Sequence, residues 1–445
     1  MNDKDKISSA DEKLAQVEEL FAGGDYERAI ELCCEVIELN PDNAKAFNKR
    51  GLNYAMIGEI DAALADLDKA VELKPDYVSA RGNRGIIYIE FYEYDRALAD
   101  FNAILKLDPD DVNSYVNRGI VHRNLEQYEL ALADFNKAVE LKPDDFDAHG
   151  NRGLAYRDSK QYDRAIEDFD AILNLEPENT WALVQRGICY EFINDYDRAL
   201  QDFDAAITLE PENAWALVQR GFCYSFIDDY DRAIEDFDAV IALEPENVKA
   251  LVERGTCYEC LGDYDRAIQD FDAALALEPE DAWAHIQRGI CYSSIGDYDR
   301  AIQDYTTAIE LEPENAWTHF RRGRAYIELR QYESALRDFN DAIKFDPTYA
   351  DAYFQRALCY ANLEDVERAA EDFGATIKLD PDNALAHFYR GLAYEDLKQY
   401  KLAVKDFTAA VDLRPDVPDG YQCRGIAYIR LKQNTSVRLK ILTLS

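Results

Sequence analysis

Residues 214–247 read AWALVQRGFCYSFIDDYDRAIEDFDAVIALEPEN. Numbered as positions 1 to 34, the first half carries Leu217, Gly221, Tyr224 and Ile227 at steps of four, three and three, which is one face of a helix. The second half carries Tyr230, Ala233, Ile234, Phe237 and Ile241, again at helical steps. Ile227-Asp228-Asp229-Tyr230 supplies a short polar turn between them; Gly262 and Gly296 occupy that turn in sister segments, as a helix C-terminus prefers. Pro245 ends the second helix, and Asn247 is placed to cap the next one. The segment predicts a helix–turn–helix.

The same pattern fills the chain. Pro41, Pro75, Pro109, Pro143, Pro177, Pro211, Pro245, Pro279, Pro313, Pro347, Pro381 and Pro415 lie 34 residues apart, and only Pro418 is out of phase. Alanine keeps the same step from Ala29 to Ala403. A strict period of this length predicts one supersecondary unit stacked many times. The fold class is therefore all-α, a solenoid whose working feature is a long surface rather than a single deep core.

Three further positions give the unit its chemistry. Position 8 is glycine from Gly51 to Gly425, with Ala357 the one small substitute, although a mid-helix glycine costs about 1 kcal/mol against alanine. Close approach of the two helices would offset that cost, with Phe101, Phe135, Phe169, Phe203, Phe237, Phe271, Tyr305, Phe339, Phe373 and Phe407 at position 24 beside the contact. Position 7 is arginine from Arg50 to Arg424, and position 23 is aspartate from Asp66 to Asp406. In the first unit both are missing, replaced by Gln16 and Leu32. The matched presence and absence predict a bidentate Arg–Asp pair between the two helices of each unit.

Small residue 8, Tyr 11, Ala 20, aromatic 24 and Pro 32 together make the chain similar to the tetratricopeptide repeat (TPR) family, in an arginine-glycine variant of the repeat. Two departures stand out. The family's aromatic at position 4 is mixed here (Phe47, Leu183, Leu217, His285, Tyr353), and its leucine at position 7 is arginine. The resemblance implies a right-handed α-solenoid of stacked 34-residue repeats over residues 10–433, about twelve full repeats and a final capping helix. Residues 1–9 are expected to be disordered, and 434–445 to form a C-terminal tail.

The resemblance also implies that positions 2, 5, 9, 12 and 13 of the first helices line a concave, peptide-binding groove. Carried over, these give Trp181, Val184, Ile188 and Phe192; Trp215, Val218, Phe222 and Phe226; Trp283, Ile286 and Ile290; and Trp317, Phe320 and Arg324. An exposed apolar strip of that size marks a partner site; the alternative is that positions 5 and 9 pack against neighbouring helices. The heat-shock carboxylate clamp of the family is excluded, because Asn83, Asn117 and Asn151 supply only its middle element.

Net charge is -39, with 88 acidic and 49 basic residues, which argues against nucleic acid or an anionic membrane as partner. Residues 180–315 alone carry 30 acids against 9 bases, whereas 384–417 balance. The tryptophan-bearing stretch is thus the acidic one, and the expected partner is a protein or peptide segment that is apolar with basic flanks. MNDKDKISSADEKLAQ holds no apolar stretch, so no secretory signal or membrane insertion is expected and the setting is cytoplasmic.

No motif points to a reaction. Cys189, Cys223, Cys257, Cys291 and Cys359 share position 10 with alanines and are packing residues; Cys257-Tyr-Glu-Cys260 is a lone pair without a second ligand pair. His149, His285, His319 and His387 all stand at position 4. With no phosphate-binding glycine loop, metal motif or nucleophile elbow, no cofactor and no active site are expected. The expectation is a non-enzymatic interaction scaffold, the alternative a holdase or secretion-type chaperone for apolar segments.

Overall fold

The computed structural model describes residues 3–416 and 418–442, with side chains described for 10–416 and 418–433. The described residues form 25 helices, from Asp3–Ala22 to Pro418–Leu442, and no strand. They divide into two compact units, Met1–Cys223 and Tyr224–Ser445, in each of which successive helices pack on one another. Between the two terminal helices, first helices are 13 residues long and second helices 14, as in Val248–Cys260 and Tyr264–Leu277.

The turn inside each repeat is closed by backbone. Position 15 takes the left-handed conformation, at Gly262 (φ 78°) and Gly296 (φ 83°) but also at eight non-glycine residues, among them Asn194 (59°) and Arg330 (56°). The next N–H then returns five residues to a helix carbonyl, as from Asp263 to Tyr258 at 2.9 Å. That same Asp263 caps the second helix, its carboxylate accepting from the N–H of Arg266. Before the first helix, Asn179, Asn247 and Asn383 cap in the same way.

Inside the repeat, glycine at position 8 is required by contact. A Cβ on Gly187 would lie 2.6 Å from the Phe203 ring, and one on Gly119 would lie 2.5 Å from Phe135. Both phenylalanines are fully buried. The aromatic at position 24 fills the space that the missing side chain leaves.

The arginine at position 7 binds more than the sequence pattern suggests. Arg254 donates from Nε and Nη2 to both oxygens of Asp270, at 2.8 and 2.5 Å, within its own repeat. Its Nη1 reaches position 25 of the preceding repeat, Asp238, at 2.5 Å. Arg288 does the same with Asp304 and Asp272, and Arg118 with Asp134 and Asn102. Arg322 uses Thr306 for the second link, at 3.0 Å. One guanidinium therefore joins both helices of its repeat and the last helix of the repeat before it.

Histidine at position 4 extends this network. His149 sets Nδ1 2.8 Å from Asp168 and Nε2 2.9 Å from the Pro143 carbonyl. Two acceptors favour a ring that donates twice, and the Asp168 bond raises the His149 pKa above its ordinary value. Arg81, in the same position, bridges Asp100 and Pro75.

The two ends differ from expectation. The first helix begins at Asp3, so residues 3–9 are helical rather than disordered; their sequence, DKDKISS, contains neither proline nor glycine. The last helix runs on to Leu442, beyond the expected boundary at 433, and neither glycine nor proline follows Gly425 to break it. Residues 443–445 lie outside the described residues.

Arg254→Leu leaves Asp270, a buried carboxylate, without its fork, and should lower stability by about 3–5 kcal/mol. The double variant Arg254→Leu, Asp270→Leu should recover much of that loss in chemical denaturation. Equal stability of Arg254→Leu and wild type would contradict a structural role for the ladder.

Candidate functional site

The face formed by positions 2, 5, 9 and 13 of the first helices does not present one uniform apolar strip. In the unit Met1–Cys223, Val184 and Val218 are buried, Ile188 and Phe222 half-buried, and Phe192 (56% exposed) and Trp215 (37%) open. Trp181 is wedged inward. Its ring packs on Phe146 and Phe169, each at 5.8 Å between centroids, and its edge fills the space over Gly150, where a Cβ would come within 3.3 Å.

The unit Tyr224–Ser445 repeats the division. Ile286 and Phe320 are buried, and Ile290 and Trp317 are half-buried. Phe226 (61%), Trp283 (53%) and Arg324 are exposed. Trp317 lies under the guanidinium of Arg321 at 4.4 Å.

Four expected contact residues are thereby corrected. Val184, Val218, Ile286 and Phe320 cannot meet a partner, because position 5 faces the adjoining helices rather than solvent; Val184 belongs to a core cluster with Phe169 and Phe203. Trp181 is half-buried, its ring turned onto Phe146 and Phe169. What remains open is Phe192 and Trp215 in the unit Met1–Cys223, and Phe226, Trp283 and Arg324 in the unit Tyr224–Ser445. Phe192 is additionally held by stacking on Tyr162 at 5.0 Å.

The cysteine row at position 10 is inert. Burial pushes the thiols of Cys189, Cys291 and Cys359 up to about 12 and that of Cys257 to about 11, so thiolate is scarce at neutral pH. Cys257 is buried beside Ser225 while Cys260 is exposed, so the two thiols of the lone CxxC sit in different surroundings. His319 from one helix and Asp338 and Asp341, one turn apart on the next, bring ligand-type atoms within 4.8 Å of one another. Both oxygens of Asp338 are already held by Arg322, at 2.7 and 2.9 Å, which makes this cluster a member of the arginine ladder.

Tetratricopeptide repeat models match residues 14–112, 85–155, 146–179, 182–213, 221–286, 282–315, 304–337 and 354–418, and a TPR repeat model matches 323–364. The chain belongs to the tetratricopeptide repeat family. Membership marks it as a protein-interaction scaffold. No curated protein matches it. Solved structures similar to it include yeast Tom70, at 19% identity and a TM-score of 0.39, covering 98% of this chain and 97% of that one. Another is a tetratricopeptide repeat protein from Parabacteroides merdae, at 22% identity and 0.43, covering 56% and 98%. A third is YrrB, described as a TPR protein with an unusual peptide-binding site, at 24% identity and 0.38, covering 41% and 95%. Among the described residues no helix is long and apolar enough to cross a membrane.

The two kinds of tryptophan should separate by mutation. Trp181→Ala removes a wedge and should cost about 3 kcal/mol of stability, whereas Trp283→Ala should change it by less than about 0.5 kcal/mol. Thermal or denaturant unfolding of the two variants checks this; equal losses would place Trp283 in the core as well.

Proposed function

We propose that the protein is a non-enzymatic scaffold that binds a peptide or helical segment along the exposed face of its first helices, in a cytoplasmic setting. The observation that carries this reading is the exposure of Phe192, Trp215, Phe226 and Trp283, in a fold that buries its position-24 aromatics almost completely. Large aromatic side chains left open, on rigid helices, supply contact area at little cost in conformational entropy.

Charge completes the reading. The open aromatics lie within 180–315, where acids outnumber bases by 30 to 9, so a segment with apolar anchors and basic flanks suits this face. Acidic side chains spaced over the whole surface also keep the chain soluble, which is why the aromatics, and not the charge, carry the proposal.

The test is titration of apolar peptides with basic flanks, against the same peptides with acidic flanks, followed by tryptophan emission. The basic-flanked series should bind and shift the emission to the blue. Trp283→Ala should weaken binding by about 1–3 kcal/mol without moving the melting temperature. Tight binding of unrelated apolar peptides regardless of flank would favour the holdase alternative. Unchanged affinity in Trp283→Ala would remove this face from the account.

A further inference from the structure

The repeat 282–315 and the one after it break pattern at three positions, and all three breaks line one cleft. Position 24 is phenylalanine from Phe101 to Phe407 except at Tyr305, which carries a hydroxyl into the core. Position 9 is apolar or Thr256 in every repeat from Leu52 to Ile426 except at Arg324. Position 6 is arginine only at Arg321; elsewhere it is mostly an amide, as at Asn83 and Gln287. Arg321 and Arg324 stand one turn apart on one helix and Tyr305 on the helix before it, and the three share a cleft of about 190 Å³ with Ser293, Ser294 and Tyr298.

The cleft is built from donors. The Tyr305 hydroxyl lies 3.2 Å from Ser293 Oγ, at the end of an otherwise buried ring. Arg321 is half-buried, its guanidinium laid over Trp317, and its Nε is buried with no hydrogen-bond partner among the described residues. A buried cationic N–H left unpaired is costly, and the cost is relieved by an acceptor that enters from outside. Local charge agrees with this. The repeat 282–315 holds 2 bases and 6 acids, whereas 316–349 holds 6 bases and 5 acids. Two negative groups temper the site, Glu328 on its wall and the part-buried Glu259, whose carboxyl burial holds above its ordinary range although the Arg321 charge pulls it the other way.

We propose that this cleft binds an oxyanion, a phosphoryl or carboxylate group presented by a ligand, gripped by Arg321 and Arg324 with hydroxyls from Ser293 and Tyr305. Guanidinium forks match both groups, and the surrounding hydroxyls suit the additional oxygens of a phosphate. The site does not depend on a peptide following the rest of the face, since a free anion is enough to fill it.

Trp317 reports on the cleft directly. The protein is titrated with sodium phosphate and, separately, with sodium acetate, at pH 7 and constant ionic strength. The indole N–H resonances of its 4 tryptophans are followed, that of Trp317 being assigned with Trp317→Phe. The expected result is a saturable shift of the Trp317 resonance while Trp181, Trp215 and Trp283 stay still. Arg321→Gln and Arg324→Gln should each weaken that binding roughly tenfold or more. Tyr305→Phe, which restores the residue of the sister repeats and is expected to fold like them, should weaken it by a smaller factor. Tighter phosphate than acetate identifies the phosphoryl group as the natural ligand, and the reverse identifies a carboxylate. If Arg321→Gln loses helicity, Arg324→Gln and Tyr305→Phe decide the matter. No saturable shift with either anion, or equal affinity in all variants, would overturn the proposal.

Discussion

Everything in this protein hangs on a guanidinium that is satisfied three ways at once. The arginine at position 7 forks onto an aspartate across its own repeat and reaches a side chain of the repeat before, as Arg118 does with Asp134 and Asn102. The fork works only if the two helices approach closely, and glycine at position 8 against the aromatic at position 24 sets that approach. Neither device is strong alone. A buried ion pair barely repays its desolvation, and a mid-helix glycine weakens its helix. Together they fix one register for each helix pair and repeat it along the chain.

Rigid, repeated pairing has a consequence for function. With the inward faces committed, side chains on the outer face of the first helices are free to vary without disturbing the stack. That is where Trp215, Trp283, Phe192 and Phe226 are exposed and where Arg324 replaces an apolar residue. The cysteines, by contrast, occupy inward positions, and burial keeps them protonated. Variation at the cysteine position and at position 24 is mostly conservative, alanine for cysteine and phenylalanine for tyrosine, while position 4 varies among leucine, histidine and arginine, the last two of which join the ladder.

The period made the fold legible, and co-occurrence made the ladder legible: Gln16 and Leu32 replace both partners of the pair in the first unit together. The link to position 25 was hidden because Asp68, Asn102 and Thr306 differ in type and sit among 88 acidic residues. The candidate site was only half readable. Helical spacing says that Trp181, Val184 and Ile188 share a face, but the apolar stripe of a packed helix is wide, and spacing does not say which edge a neighbour covers. Gly150, at the position where Val184 stands one repeat later, was the available sign that Trp181 has a slot to fill. At the ends, the absence of breakers in DKDKISS and after Gly425 was the signal for continued helix. Tyr305, Arg321 and Arg324 could have been found by asking where the repeat departs from itself, since each is an exception at its position.

The central claim is that the arginine holds its own repeat and, wherever position 25 offers a side chain as it does to Arg118, the one before it, so that stability is local and passes between nearest neighbours. Native-state hydrogen exchange on Arg118→Leu tests this most directly. The account predicts that amide protection falls chiefly across 78–145, the two repeats that Arg118 ties together, while the helix pair at 180–209 keeps most of its protection. A uniform loss of protection from 44 to 209 would contradict it, because that is how a single cooperative core responds to one broken pair.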